Sequence, residues 1–299
     1  MEPILKTNNL SKKYRDTLAL DNVTMTVNKG DIYGLVGENG AGKSTLFKVI
    51  TNTALKSGGE FTYYLDNYKG NLAAIIENPA IHGSLSAMDN LRFQNNLLGL
   101  NKSINDLENL LKKVGLKNLI DSKKRAKHFS LGMKQRLGIS LLLISDPQFI
   151  ILDEPMNGLD PLGIKHMRNI ILDLNKNHNI TFIVSSHILS ELDKIATNYG
   201  FISKGKLIKE LSDKELKEII KPVLKISFKN EIDNNLLNYL SKYEFIKLDL
   251  KTISISNNLD QSTIIKELSN LGYDILSIIE EKNDIESYYL NLIGDNTNE

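Results

Sequence analysis

The run Gly37-Glu38-Asn39-Gly40-Ala41-Gly42-Lys43-Ser44-Thr45 constrains this chain more than any other stretch. It has the spacing of a P-loop, and each residue type answers a physical need. Glycines let the backbone turn tightly and aim successive N–H groups inward, building an anion-binding nest at a helix N-terminus. Lys43 supplies a point charge for β- and γ-phosphates, and the Ser44 hydroxyl is placed to ligate Mg²⁺. Ile32-Tyr33-Gly34-Leu35-Val36 reads as the strand entering the turn, and Lys43 to Ile50 as the helix leaving it. That order commits the segment to an α/β nucleotide-binding core.

A second segment completes the chemistry. Phe149-Ile150-Ile151-Leu152 reads as a strand buried on both faces, and it ends in Asp153-Glu154. Such a strand should not end in paired carboxylates without a cation or a reaction to serve. Asp153 is assigned to Mg²⁺ through its water shell, and Glu154 to polarising the attacking water as general base. Ile180 to Val184 reads as another buried strand, while Asn78 to Ser145 turns helical, as a subdomain inserted into the core.

A break near Lys221-Pro222 divides residues 1–220, the nucleotide-binding domain with its helical subdomain at about 78–145, from a small α+β domain at 221–299. In the latter, strands at Val223–Phe228, Phe245–Lys251, Thr252–Ser256 and Ile275–Glu280 alternate with helices at Asn234–Lys242 and Asp260–Leu271. This β-α-β-β-α-β order suggests a ferredoxin-like fold. A last helix spans Ile285 to Ile293, and Gly294 to Glu299 should fray.

Composition removes several functions. The 299 residues hold no cysteine, which excludes a disulfide framework and a thiolate metal site. A formal net charge of +1 lacks the footprint of a dedicated nucleic-acid binder, so no direct nucleic-acid contact is expected. The basic run Lys123-Lys124-Arg125-Ala126-Lys127 reads as a solvated loop or a site near anionic headgroups. The N-terminus lacks a secretory pattern, and the most apolar stretch, Leu137 to Leu152, is broken by Ser145-Asp146-Pro147. A membrane role would therefore come through a partner.

Phe129-Ser130-Leu131-Gly132-Met133-Lys134-Gln135-Arg136, shortly before Asp153-Glu154, resembles the signature of the nucleotide-binding subunits of ABC transporters. The resemblance covers about Pro3 to Leu211. It implies ATP and Mg²⁺ as ligands, ATP hydrolysis, and a P-loop core of ABC type. It also implies a head-to-tail pair of ATPase subunits, a homodimer or two related chains, beneath an integral membrane permease at the cytoplasmic face of the membrane. In that pair Ser130 and the Gly132 backbone bind the γ-phosphate held by the opposite subunit. Asn157-Gly158-Leu159-Asp160 resembles the loop that touches the partner subunit, and His187, in Val184-Ser185-Ser186-His187, the histidine that contacts the γ-phosphate. Tyr14 lies where the family stacks an aromatic ring on adenine. The stretch Ile81 to Phe93 is the expected edge for permease docking.

Departures from the common pattern narrow the resemblance. Leu131 stands where glycine is commonest and Met133 where glutamine is frequent; Glu77, in Ala73-Ala74-Ile75-Ile76-Glu77-Asn78-Pro79, replaces a glutamine. Glu77 can still accept from a magnesium-bound or attacking water. This combination is similar to the bacitracin and lantibiotic self-protection branch of bacterial ABC exporters, which implies an antimicrobial peptide as cargo. Two other classes stand beside it: a soluble ABC ATPase acting on ribosomes or nucleic acid, and an ATP-dependent sensor not coupled to transport.

Overall fold

The computed structural model describes residues 2–65, 71–243, 245–256, 261–281 and 284–295. It divides into two compact units between Asp213 and Lys214. That division falls at the head of the helix Asp213–Ile219, ahead of the Lys221-Pro222 break. A proline marks where a helix must end rather than where a unit begins.

The first unit runs β1 (Pro3–Tyr14), β2 (Thr17–Asn28), β3 (Ile32–Val36), the helix Lys43–Ile50, β4 (Gly58–Tyr63) and β5 (Leu72–Ile75). After a helical stretch come β6 (Phe149–Leu152), β7 (Thr181–Ser186), β8 (Asn198–Ser203) and β9 (Lys206–Ser212). An antiparallel sheet of order β2-β1-β4 lies in the same unit as a six-stranded sheet of order β5-β6-β7-β3-β8-β9. The latter is parallel except for the final β8–β9 pair. Strands β3, β6 and β7 are buried throughout, which is why they read as continuous apolar runs. Leu46, Phe47, Val49 and Ile50 of the helix after β3 share one core cluster with Leu5, Val23 and Met25 of the antiparallel sheet and Phe149, Ile151 and Ile183 of the parallel one. Glu210 ties the sheets together. Its Oε1 accepts from the buried Tyr33 hydroxyl at 2.7 Å and from the Thr26 amide at 3.3 Å. Burial holds its carboxyl above the usual range and pushes the Tyr33 phenol higher still.

Between β5 and β6 lie the helices Ala87–Leu97, Ile104–Lys113 and Leu131–Leu142, with no strand among the described residues there. Each starts on a serine N-cap, at Ser86, Ser103 and Ser130. The third packs closely against the entry to the subdomain. A Cβ on Gly138 would stand 2.5 Å from Pro79 Cβ and 3.1 Å from Ile75 Cδ1. Gly138→Ala should therefore destabilise the fold by about 1–3 kcal/mol through overpacking, seen as a lower urea midpoint at unchanged slope. An unaltered midpoint would contradict this packing. No helix among the described residues is long and apolar enough to cross a membrane.

The second unit carries β10 (Val223–Phe228), β11 (Phe245–Lys247), β12 (Thr252–Ser256) and β13 (Ile275–Glu281) in the antiparallel order β11-β12-β10-β13. The helices Asn234–Leu240 and Gln261–Asn270 place Leu236, Leu240, Ile264 and Leu268 in one core with Leu224, Ile226, Ile253 and Ile255. This is the split β-α-β arrangement of a ferredoxin-like fold. The strand expected to run to Lys251 stops at Lys247. The Leu248 and Asp249 amides turn back to the Thr252 carbonyl, so residues 248–251 form the hairpin end. Asp260 and residues 296–299 lie outside the described residues; the last helix, Ile285–Asp295, runs past Ile293 and into the segment expected to fray.

Candidate functional site

Three strands that neighbour one another in the order β6-β7-β3 run parallel, so their carboxyl ends gather at one edge. That edge is where open α/β sheets place ligands. The P-loop follows β3, Asp153-Glu154 follow β6, and His187 follows β7. Topology thus brings together residues more than a hundred positions apart.

A hollow of about 170 Å³ is lined by Ala19, Glu38, Asn39, Gly40, Gly42, Lys43, Ser44, Thr45 and Glu154. Gly42 caps the helix Lys43–Ile50 with φ +111°, and a Cβ there would lie 2.8 Å from the Ala19 carbonyl oxygen. Only glycine meets both demands. The buried Lys43 ammonium donates to the Gly37 carbonyl at 2.5 Å and the Glu38 carbonyl at 3.1 Å, and lies 3.3 Å from Glu154 Oε1. Glu154 holds φ +50°, outside the common regions for a side-chain-bearing residue. Its Oε2 meets His187 Nδ1 at 2.6 Å and accepts from the His187 amide at 3.2 Å. Its Oε1 is buried and accepts no hydrogen bond among the described residues, with the Lys43 ammonium 3.3 Å away. The carboxylate thus bridges the P-loop lysine and the histidine, with spare acceptor capacity facing the hollow.

Asp153 is buried and anchored from both sides. Its amide donates to the Ile75 carbonyl on β5, and its Oδ1 accepts from the Ser185 hydroxyl at 2.7 Å. The same hydroxyl accepts from the Glu154 amide at 2.9 Å. Ser185 was not singled out by sequence reasoning. Its signal is register: Leu152 pairs with Val184, which sets Ser185 level with Asp153. Ser185→Ala should leave a buried carboxylate oxygen and an amide unpartnered, costing about 1–3 kcal/mol and lowering turnover as both acids loosen. Wild-type melting and turnover in that variant would show that the hydroxyl positions neither acid.

Mg²⁺ has a fitting but incomplete set of protein donors here. Ser44 lines the hollow, and Asp153, outside that lining at the end of β6, offers a carboxylate oxygen; no group of three or more histidines or acids suited to a metal occurs among the described residues. An ion with so few protein ligands suits Mg²⁺, which keeps waters and binds through phosphates.

Ser130 and Gly132 are not part of this lining. They border a second hollow of about 320 Å³ with Leu131, Arg136, Gly158, Leu159, Asp160, Leu162, Gly163 and His166. The Ser130 hydroxyl caps the helix Leu131–Leu142 by accepting from the Met133 amide at 3.3 Å, and the residue is exposed. Asp160 caps the helix Pro161–His178 in the same way, accepting from the Gly163 amide at 2.9 Å. Leu131 leans on the loop between them, its Cδ2 3.0 Å from where a Cβ on Gly158 would stand. The leucine thereby covers the very loop glycine that leaves it room. His166 lines this hollow too.

Six predicted residues are in neither lining: Gly37, Ala41, Asp153, His187, Tyr14 and Glu77. The Gly37 carbonyl and His187 still meet lining residues, through Lys43 and Glu154, whereas Tyr14 and Glu77 have other partners. Tyr14 is exposed at the end of β1, with the Lys12 ammonium 4.6 Å from its ring centroid. Glu77 has φ +64° and pairs at 2.6 Å with Lys48 on the helix that follows the P-loop. That hydrogen bond holds the Lys48 ammonium above its usual range.

Comparison with known proteins bears on this geometry. Residues 20–157 match the family described as ABC transporter. The chain is 35% identical over 310 residues to the bacitracin transport ATP-binding protein BcrA of Bacillus licheniformis, with 99% of each covered. It is 44% identical over 211 residues to the lantibiotic transport ATP-binding protein SrtF of Streptococcus pyogenes, covering 69% of this chain and 90% of that one. Among solved structures it is similar to cbiO1 from Clostridium perfringens, part of the ABC transporter complex cbiONQ. The TM-score is 0.65 at 26% identity, over 74% of this chain and 94% of that one. A dimeric bacterial ABC transporter cassette, at 20% identity and TM-score 0.61, shares the fold over 70% of this chain and 98% of its own.

Proposed function

Because the chain belongs to the ATP-binding subunits of ABC transporters, we propose that its two hollows are the halves of one composite ATP site, closed between two subunits. The observation that carries this reading is the separation of Ser130 and Gly132 from the P-loop hollow of their own chain. A serine-capped helix N-terminus that faces outward is a donor group waiting for an anion from elsewhere. Cassettes of this family bind and hydrolyse ATP to drive transport, and they act in pairs with a membrane permease.

In this reading the residues take the roles that the resemblance implies, and the contacts of Lys43, Glu154 and His187 support theirs. Amides of Gly37 to Thr45 and the Lys43 ammonium hold the phosphates, while Tyr14 stacks on the adenine. Ser44 and Asp153, with Glu77 at the margin, are the groups that would hold Mg²⁺ and its waters; the ion would offset phosphate charge. Arrival of a triphosphate draws Lys43 and His187 toward the γ-phosphate and away from Glu154. The freed carboxylate, already carrying an unused acceptor, takes the proton of the attacking water. The Ser130 hydroxyl and Gly132 amide of the partner grip the same γ-phosphate, so ATP favours the pair and hydrolysis releases it.

Residues 1–220 form the nucleotide-binding domain in this reading, and 221–299 an accessory domain. The permease docks along Ile81 to Phe93 and holds the chain at the cytoplasmic face of the membrane. Identity to BcrA and SrtF supports an antimicrobial peptide of the bacitracin or lantibiotic kind as exported cargo. Deleting the chain's gene should increase sensitivity to such peptides, and a Glu154→Gln copy should not restore resistance. Unchanged inhibitory concentrations would remove the cargo assignment, and failure to co-purify a hydrophobic permease from membranes would remove the transport role.

A further inference from the structure

Charge is spread unevenly along this chain. Residues 78–145 hold eleven lysines and arginines against four acids, a surplus of seven positive charges in a chain whose net charge is +1. Three of those acids are already engaged. Asp89 pairs with Arg92, Glu108 with Lys112, and Asp106 closes a capping box with Ser103. Lys123, Lys124, Arg125 and Lys127 are all exposed, and none of them has an ion-pair partner among the described residues. A surface shaped only for solubility would intersperse the two signs.

The basic segment is joined to an apolar one. The Ala126 amide donates to the Leu85 carbonyl at 2.8 Å and the Lys127 amide to the Gly83 carbonyl at 2.9 Å. Next to Gly83, the His82 ring meets Phe93 edge-on, with centroids 4.3 Å apart. Phe93 and Leu97, one helical turn apart, are 42% and 67% exposed. Four unpaired cations and two exposed apolar side chains therefore share one rim. Cations that reach phosphates beside apolar groups that enter the acyl boundary are the composition of an interfacial surface. Three of the four cations are lysines. Lysine is a mobile point charge suited to a fluid layer of phosphates, whereas fixed carboxylates on a protein favour the arginine fork.

We propose that this rim of the helical subdomain, Lys123 to Lys127 with Leu97, rests on anionic phospholipid headgroups beside the permease edge that ends at Phe93. The contact is independent of the nucleotide-site assignment, since it needs neither bound ATP nor a second copy. It gives the subunit a hold on the membrane of its own.

The test is co-sedimentation of the full-length chain with vesicles of phosphatidylcholine, with and without phosphatidylglycerol. The chain should bind only the anionic vesicles, and binding should fall as salt rises. Each cation near such a surface is worth about fivefold in partitioning. Converting Lys123, Lys124, Arg125 and Lys127 to glutamine should therefore weaken binding by about a hundredfold or more, with ATP affinity unchanged as the check on folding. Absence of wild-type binding to anionic vesicles overturns the proposal, and so does equal binding by the variant. Loss of a co-purifying permease in the variant, with wild-type indifference to vesicles, would give the surface to an acidic protein instead.

Discussion

Glu154→Gln should bind ATP at least as tightly as the natural chain while its turnover falls by about 10²- to 10⁴-fold. The amide keeps the shape of the carboxylate and can still accept a hydrogen bond, but it cannot take a proton from water at neutral pH. Removing the charge also frees the groups around it. Lys43, 3.3 Å from Oε1, and His187, 2.6 Å from Oε2, lose the carboxylate that competes for them with an incoming phosphate. Affinity should accordingly hold or rise as catalysis disappears. Quenched-flow measurement of a single turnover separates the two effects. Hydrolysis within a few-fold of the natural rate would end the general-base assignment.

Lys43→Ala should act on the other quantity. Lys43 is 6% exposed and its ammonium is held by two P-loop carbonyls and Glu154, so it is already aimed at the hollow. Truncating one partner of a buried charge pair costs about 2–5 kcal/mol, so titration calorimetry should show ATP affinity at least about thirtyfold weaker. Lys48→Ala, on the same helix, is the control. Lys48 and Glu77 are 38% and 60% exposed, and such a surface pair contributes about 0–1 kcal/mol. Equal affinities for the Lys43 variant and the natural chain would remove the phosphate site as drawn.

The core and its chemistry were legible because they rest on residue types with few alternatives. Gly42 is required by φ +111° and a carbonyl at 2.8 Å, and acids that end a buried strand next to a P-loop suit a cation or a reaction better than a turn cap. The antiparallel sheet of β1, β2 and β4 was not legible. Its register shifts repeatedly along β1, with Asn9 and Asn22 at positive φ, so the period-two signal is broken at the bulges. Ser185 escaped for another reason: its role is a cross-strand level with Asp153, set by the β6–β7 pairing and invisible in linear spacing. Likewise Gly158 explains Leu131 only once the two loops are brought together in space. The helix expected to reach Lys242 stops at Leu240, with Ser241 as its C-cap, a limit that residue composition does not encode.

The central claim is that the helix tip at Ser130 serves another copy's triphosphate. Light scattering on the Glu154→Gln chain with ATP and Mg²⁺ tests it most directly, with and without an added Ser130→Arg change. The single variant should double in mass on ATP addition, and the double variant should stay at single mass while still binding nucleotide at its own P-loop. A double variant that pairs as readily as the single one would contradict the composite site.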